Sequence, residues 1–401
     1  MTELREKLLR RNCRLMFWIK AVYNVKVLNS VVTLFYLHRG LTLSQLYYLA
    51  ITWSVVNLIS EVPSSYLADT WGRKNTLIIA VLGTVLHMII LFFAASLCAF
   101  IASFVFLSFS FACYSGTDQA LLYDTKKELG EEDETLTAFG KYSSAAHLFK
   151  VVTPLLSVFI AKDLLEWQFI VLIIIDLLGV FAVFILVLFL SEPVHFTAVH
   201  EKQKGLLINA ISLIKRDKEI IRLILSQSLI LIGQFIFWRY HQKFFLVLGI
   251  SVILIGVGHA VFHSLSAVIK YNIKKILKNN KLTERIDILN KGYAFLVALF
   301  VVLLLVYPNI YLLFTLFILF ETLESIRYPF YSELFNKKSK SYNRATTLSL
   351  MNFVKSLADI PLLIIASFLV SLHIYLPVLI TCTLSFVVIF FLRTKENLKH
   401  P

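Results

Sequence analysis

The stretch Glu61-Val-Pro-Ser-Ser-Tyr-Leu-Ala-Asp69-Thr-Trp-Gly72-Arg73-Lys74 is a short charged turn set between two apolar runs, Leu43 to Leu67 and Thr76 to Leu97. Each run has the roughly 20 residues that an α-helix needs to cross a bilayer. Gly72 permits a tight turn. Arg73 and Lys74 hold it on the cytoplasmic side, where short loops of membrane proteins collect Lys and Arg. Asp69 is suited either to cap a helix N-terminus or to take a charged partner. The stretch therefore reads as the cytoplasmic link between two spanning helices.

Working outward, further runs of spanning length lie at Leu15 to Leu37, Ala99 to Leu122, Ala138 to Ala161 and Gln168 to Leu190. A polar stretch from Ser191 to Glu219 follows. Beyond it come Ile220 to Gln242, Val252 to Tyr271, Gly292 to Tyr307, Ile310 to Phe330, Thr346 to Val370 and Leu372 to Leu392. The fold expected is an all-α membrane protein of twelve transmembrane helices in two six-helix bundles, 1–190 and 220–401, joined by a cytoplasmic linker, 191–219. Composition agrees: 58% of the 401 residues are apolar and 16% charged, the mean hydropathy is +0.77, and a soluble domain is roughly 45–50% apolar. Twelve spans leave no room for a soluble domain.

With the N-terminus inside, only Arg39, Lys162 and Lys243 of the 39 basic residues fall in outside loops. Both termini are accordingly expected in the cytoplasm. The net charge of +14 reports this orientation, so no nucleic-acid partner is expected. The basic segment Met1 to Arg14 runs into the first apolar stretch without a small-residue cleavage site, which reads as a retained helix and not a signal peptide. Cys13, Cys98, Cys113 and Cys382 are widely spaced, so neither a disulfide framework nor a zinc site is expected. A faint internal echo joins the halves: Phe149-Lys150 before Thr153-Pro154 in the fifth span, and Val354-Lys355 before Ile360-Pro361 in the eleventh.

The turn resembles the signature loop of the major facilitator superfamily, Gly-x-x-x-Asp-x-x-Gly-Arg-Lys/Arg after the second helix. Two positions depart from it: Ser65 replaces the leading glycine and Thr70 the basic residue that often follows the aspartate. Tyr114-Ser-Gly116-Thr-Asp118 through Tyr123-Asp124 is similar to the end of the fourth span in bacterial facilitators, and Asn343-Arg344-Ala345-Thr346 through Ser349 to the start of the eleventh. The resemblance implies a secondary transporter that alternates access to a midplane site as its two bundles rock. It also implies a gating latch of Asp69, Gly72, Arg73 and Asp124, in which the loop aspartate meets the eleventh helix and the loop arginine pairs with the acid ending helix four. The first, fourth, seventh and tenth helices would line the cavity. Drug–proton antiporters of the superfamily carry an arginine in the fourth helix and a Gly-Pro-rich fifth helix; both are missing here.

Charged groups inside a membrane are costly and are functional candidates. Lys26 lies about 16 Å into the first span at 1.5 Å per residue, on one polar stripe with Tyr23, Ser30 and Thr33. Substrate-binding candidates are Tyr23, Lys26, Ser30, Asp118, Gln234, Trp238, Arg239, Glu321 and Glu324. Gln242 extends the seventh-span set, where Arg239 alternatively snorkels to the surface. Glu321, Glu324 and Asp118 are the proton-coupling candidates, because a carboxyl withdrawn from water favours its neutral form. The bland alternatives are an ion-pair ladder of Glu321, Glu324 and Arg327, and a lysine–acid pair joining Lys26 to Asp118. Lys355 and Asp359, spaced i and i+4, are expected to pair, whereas Asp118 and Asp176 need partners from other helices.

Among the cavity charges, Lys20, Lys26, Arg239 and Arg327 outnumber Asp118, Glu321 and Glu324, which favours an anionic or zwitterionic solute. His259 and His263 without a third ligand do not make a metal site, and no cofactor is expected. The run Glu131-Glu132-Asp133-Glu134 reads as a solvated loop, and the basic stretch Lys270 to Lys291 as one that meets anionic headgroups. No nucleotide-binding glycine loop occurs, so transport is downhill or ion-coupled. The histidines are too scattered for an enzyme. A sensor would carry a long soluble tail, and the chain runs nine residues past Leu392. The reading is a monomeric, multi-pass secondary transporter in a bacterial inner membrane, with a small solute and H+ as its partners. The alternative is a proton-coupled multidrug efflux antiporter, and behind it stand a membrane sensor and a polytopic membrane enzyme.

Overall fold

The computed structural model describes residues 2–194, 218–271, 282–338 and 344–393. Most of the linker expected at 191–219, much of the basic stretch from Lys270 to Lys291, and Asn343 lie outside these residues. The chain divides into two compact units, Met1–Val199 and His200–Pro401, and all regular structure among the described residues is helical.

The first unit contains α1 (Glu3–Tyr23), α2 (Val32–His38), α3 (Leu43–Thr70), α4 (Arg73–Phe93), α5 (Leu97–Tyr114), α6 (Thr117–Glu128), α7 (Thr135–Ala145), α8 (Val152–Ile160) and α9 (Glu166–Leu188), with 3-10 turns at Leu28–Val31 and Glu132–Glu134. The second contains α10 (Lys218–Trp238), α11 (His241–Val247), α12 (Val252–Tyr271), α13 (Leu282–Val306), α14 (Ile310–Lys338), α15 (Arg344–Leu372) and α16 (Leu376–Phe391). Eight helical stretches among the described residues are long and apolar enough to cross a membrane. Phe93, Phe159, Phe390 and Phe391 stand exposed on their helices, as side chains facing lipid do.

Four apolar runs expected as single helices are interrupted. In the first, α1 stops at Tyr23, where the Asn24 side chain donates to the Lys20 carbonyl at 2.8 Å. Lys26 thus lies in an unwound turn, and Tyr23, Lys26, Ser30 and Thr33 do not form one continuous stripe. In the fourth, Gly116 takes φ +85° between α5 and α6, a conformation open to glycine without a Cβ penalty. The fifth turns through residues 146–151 just before Pro154, which cannot donate to the carbonyl one turn back and is tolerated in the first turn of α8. The seventh breaks at Arg239 and Tyr240.

The core of the first unit joins Met16 and Ile19 of α1, Leu77 and Ala80 of α4, Leu121 and Leu122 of α6, Tyr142 of α7 and Val183 of α9. In the second, Leu223 and Ile224 of α10 pack with Ile286 of α13 and with Phe330 and Tyr331 of α14. At Gly258 an added Cβ would collide with the Phe314 ring, so the missing side chain makes room for that ring of α14 against α12. Small residues at helix contacts are the expected device where lipid offers no hydrophobic drive to pack.

Candidate functional site

The turn between α3 and α4 gathers the charges first singled out. Arg73 Nη1 lies 2.8 Å from Asp69 Oδ1 and its Nε 3.5 Å from Asp124 Oδ2. One guanidinium therefore bridges the end of α3 to α6. Asp69 pairs within its own turn, with Arg73; the cap of α4 comes from Glu192. The Glu192 carboxylate accepts from the backbone N–H of Arg73 and of Lys74, each at 2.6 Å. A carboxylate there compensates two unpaired amides and the positive end of the helix dipole. Gly72 has φ +95°, and a Cβ on it would stand 2.9 Å from the Glu192 carboxyl. Its absence of a side chain thus serves both the turn and the approach of the cap.

Around this turn the first unit is laced with ion pairs. Arg5 reaches Glu128 at 2.7 Å and the Glu192 carbonyl at 2.8 Å. Arg10 meets Glu131 at 2.8 Å, and Lys126 meets Glu131 at 2.6 Å and Glu134 at 2.8 Å. This corrects the reading of Glu131 to Glu134 as merely solvated: two of its carboxylates neutralise Lys126 and Arg10. The hydrogen bond from Lys126 holds the Glu131 carboxyl below the ordinary glutamate value of 4.5.

Deeper in the unit, Asp118 starts α6 and is 2% exposed. It takes an ion pair from Lys20 at 3.0 Å and a short hydrogen bond from the Tyr142 hydroxyl. Lys20 also lies over the Tyr114 and Tyr142 rings, and Tyr23 stacks on Tyr114 at 4.4 Å. The partner of Asp118 is therefore Lys20 and not Lys26. Asp176 finds its partners in the break of the first span: its oxygens accept from Val27 N at 2.6 Å and Leu28 N at 3.0 Å. Lys26 is exposed in that turn, with its ammonium 5.3 Å from the Tyr23 ring centroid, and among the described residues it has no ion pair within 4.0 Å. Ser30 and Thr33 are buried.

In the second unit Glu321 is fully buried. Gln234 donates to its Oε2, while Oε1 has no hydrogen-bond partner among the described residues. Glu324, one turn on, is half-buried and lies in the field of Arg327, Lys270 and Lys355. Arg327 is 1% exposed. It donates to Asn290 Oδ1 at 2.8 Å and more distantly to the Ser226 carbonyl and the Tyr331 hydroxyl. Its shortest hydrogen bond thus goes to another helix, α13, and not along its own to Glu321 or Glu324, although Arg327 still acts electrostatically on Glu324. Asp359 acts electrostatically on Lys355, whose ammonium lies over the Phe235 ring.

Trp238 closes α10 and stacks on His259 at 5.1 Å. His259 Nε2 lies 2.8 Å from His241 Nε2, and His241 Nδ1 donates to the Trp238 carbonyl at 2.7 Å. The histidine partner of His259 is therefore His241, from the other side of the break, and not His263. With its Nδ1 donating, a neutral His241 accepts at Nε2. Among the described residues no cluster of three ligands fit for a metal occurs. Arg239 lies half-buried in the break and Gln242 is buried at the start of α11.

Sequence reasoning missed Glu192, Tyr142, Asn290 and His241. Glu192 carried a signal, an acid directly after an apolar run; the other three look like ordinary polar residues until the helices are packed.

The sequence model described as Major Facilitator Superfamily matches residues 21–363. A search of curated proteins finds no match. Among solved structures, a mutant of the nucleoside transporter NupG is similar with a TM-score of 0.78 at 12% identity, covering 96% of this chain and 98% of that one. A POT family transporter in complex with 5-aminolevulinic acid gives 0.71 at 14%, covering 95% and 93%. A D-xylose–proton symporter gives 0.67 at 12%, covering 98% and 99%.

Proposed function

The chain belongs to the Major Facilitator Superfamily, and from that premise we propose that it is a proton-coupled secondary transporter for a small anionic or zwitterionic solute in a bacterial inner membrane. It is a multi-pass membrane transporter and not an enzyme. The twelve spans, the cytoplasmic termini and the bundles 1–190 and 220–401 are parts of the same proposal.

The observation that carries the solute reading is the unwound turn of the first span. Discontinuous helices near the midplane are where secondary transporters bind their solutes, because such breaks offer backbone and side-chain groups to a ligand. Here Asp176 takes up the free Val27 and Leu28 amides, which leaves the Lys26 ammonium as the group on offer, with Tyr23 beside it. Lys20 is paired with Asp118, and Arg327 is buried with its Nε on Asn290, so neither is the group on offer.

For the proton, Glu321 is the supported carrier. Asp118 has a cation at ion-pair distance, and Glu324 lies in the field of three cations. Glu321 has an amide on one oxygen and, among the described residues, no hydrogen-bond partner on the other. A carboxylate left that way in a dry helix costs several kcal/mol, so the group is neutral when enclosed and releases its proton when water reaches it.

The test starts from melting of the purified full chain against matched panels of anionic, zwitterionic and cationic solutes, since a ligand of the folded state raises its stability. A hit is then reconstituted in liposomes with an internal pH indicator. Stabilisation by anions or zwitterions that is lost in Lys26→Gln, with uptake that acidifies the lumen, is the expected result. Stabilisation by lipophilic cations alone overturns the solute class, and uptake without proton movement overturns the coupling.

A further inference from the structure

A cavity of about 280 Å3 lies within the first unit, between α1, α6 and α7, apart from Lys26 and its turn. That volume is near the lower end of small-molecule sites, roughly 300–1,000 Å3. Its inner wall is Tyr142, which is 3% exposed. The Tyr142 hydroxyl is spent on Asp118 and Tyr114, so what remains for a ligand is the ring face. Phe17 and Trp18 supply further aromatic wall from α1, with Trp18 half exposed. The interior of the cavity is therefore apolar and poor in donors.

The outer side is charged. Lys126 and Glu134 both line the cavity and pair with each other, and Glu131 pairs with Lys126 as well, so these charges offset one another. Arg14 of α1 and Lys141 of α7 also line it, both exposed. Neither has an ion pair within 4.0 Å among the described residues, unlike Arg10 and Arg5 further back on α1. Two uncompensated cations facing one apolar cavity repel each other, and an anion set between them removes that cost.

We infer that this cavity binds an amphipathic anion, a carboxylate or phosphate head held by Arg14 and Lys141 with a small aromatic or aliphatic body against Phe17, Trp18 and Tyr142. A soluble aryl acid and an anionic phospholipid share this chemistry. The site goes beyond the transport reading, because it needs neither Lys26 nor Glu321.

The experiment is equilibrium binding of radiolabelled 2-naphthoate to the purified full chain in neutral detergent. Saturable binding is expected, with the neutral isostere 2-naphthalenemethanol competing at least about tenfold more weakly. The double variant Arg14→Gln/Lys141→Gln should weaken naphthoate at least about tenfold, whereas the charge-keeping Arg14→Lys/Lys141→Arg stays within about threefold. Lys26→Gln should bind naphthoate like the wild type, so loss of the transport reading leaves this site standing and the converse. Displacement by phosphatidylglycerol but not phosphatidylcholine assigns the site to lipid; no displacement by either assigns it to soluble acids. Equal competition by the neutral isostere, or unchanged binding in the Gln double variant, overturns the inference.

Discussion

Two buried acids, Asp118 in the first unit and Glu321 in the second, are equally hidden from water, at 2% and 0% exposure, and are treated in opposite ways. Asp118 is met by Lys20, Tyr142 and the Gln119 amide. Among the described residues, the one hydrogen bond to the Glu321 carboxyl comes from Gln234. The contrast extends outward. The first unit balances its charges by ion pairs, from Arg5–Glu128 to Arg73 between Asp69 and Asp124. In the second unit ion pairs join Asp287 to Lys291 and Arg393, but the hydrogen bonds of buried Arg327 and Glu321 go to neutral amides, hydroxyls and carbonyls. An acid beside a cation is a fixed charge that holds helices together. An acid beside an amide is held in place without a charge of its own, which suits a group that gains and loses a proton.

The sharpest way to break this comparison is to neutralise both acids. Glu321→Gln should lower proton-driven accumulation about a hundredfold or more while the melting temperature in detergent stays unchanged, because an amide replaces a carboxyl that has no cation to lose. Accumulation at wild-type levels would remove Glu321 from the coupling. Arg327→Ala should cost about 3 kcal/mol or more, seen as a large fall in melting temperature, since Asn290, Tyr331 and the Ser226 carbonyl lose a shared donor in a buried site. Asp118→Asn should cost about 2 kcal/mol, discounted from a fully buried pair because the Lys20 side chain is 22% exposed. If Asp118→Asn and Glu321→Gln melt alike, the two units do not differ in the way described.

Smaller effects probe the turn. Gly72→Ala should lower stability by about 1 to 2 kcal/mol, partly from φ +95° and partly from the Cβ forced against Glu192. The double variant Gly72→Ala/Glu192→Ala should show less than the sum of its single changes, as residues in contact do. The smallest effect is in acid. The Glu131 carboxyl is held below 4.5 in the folded chain, so its contribution is present above that value and fades as pH falls through the lower folded value. Glu131→Gln should therefore flatten part of the acid limb of a melting curve taken from pH 6 to pH 3. An unchanged limb would mean that Lys126 is held by Glu134 alone.

The helices were legible because apolar runs of spanning length leave few alternatives, and each of the twelve runs coincides with helix over most of its described residues. The breaks were not legible. Averaged apolarity is blind to a turn such as Asn24 to Val27, and what keeps that turn open is Asp176, from a helix nearly 150 residues away. The same holds for partner choice. A Lys26–Asp118 pair was one reading of the sequence, yet the lysine that meets Asp118 is Lys20, and the imidazole that meets His259 is His241, from beyond the break.

Composition and the turn at Asp69 to Lys74 determined that the chain lives in a membrane as packed helices and which superfamily it resembles, because burying a backbone in lipid leaves helices as the solution for apolar runs of this length. Which lysine meets which acid, which glutamate stands without a cation and where the helices break were decided only by tertiary packing. The reason is physical: the cost of a charge in a dry interior depends on atoms within a few ångströms, and those atoms come from helices that the order of residues along the chain does not bring together.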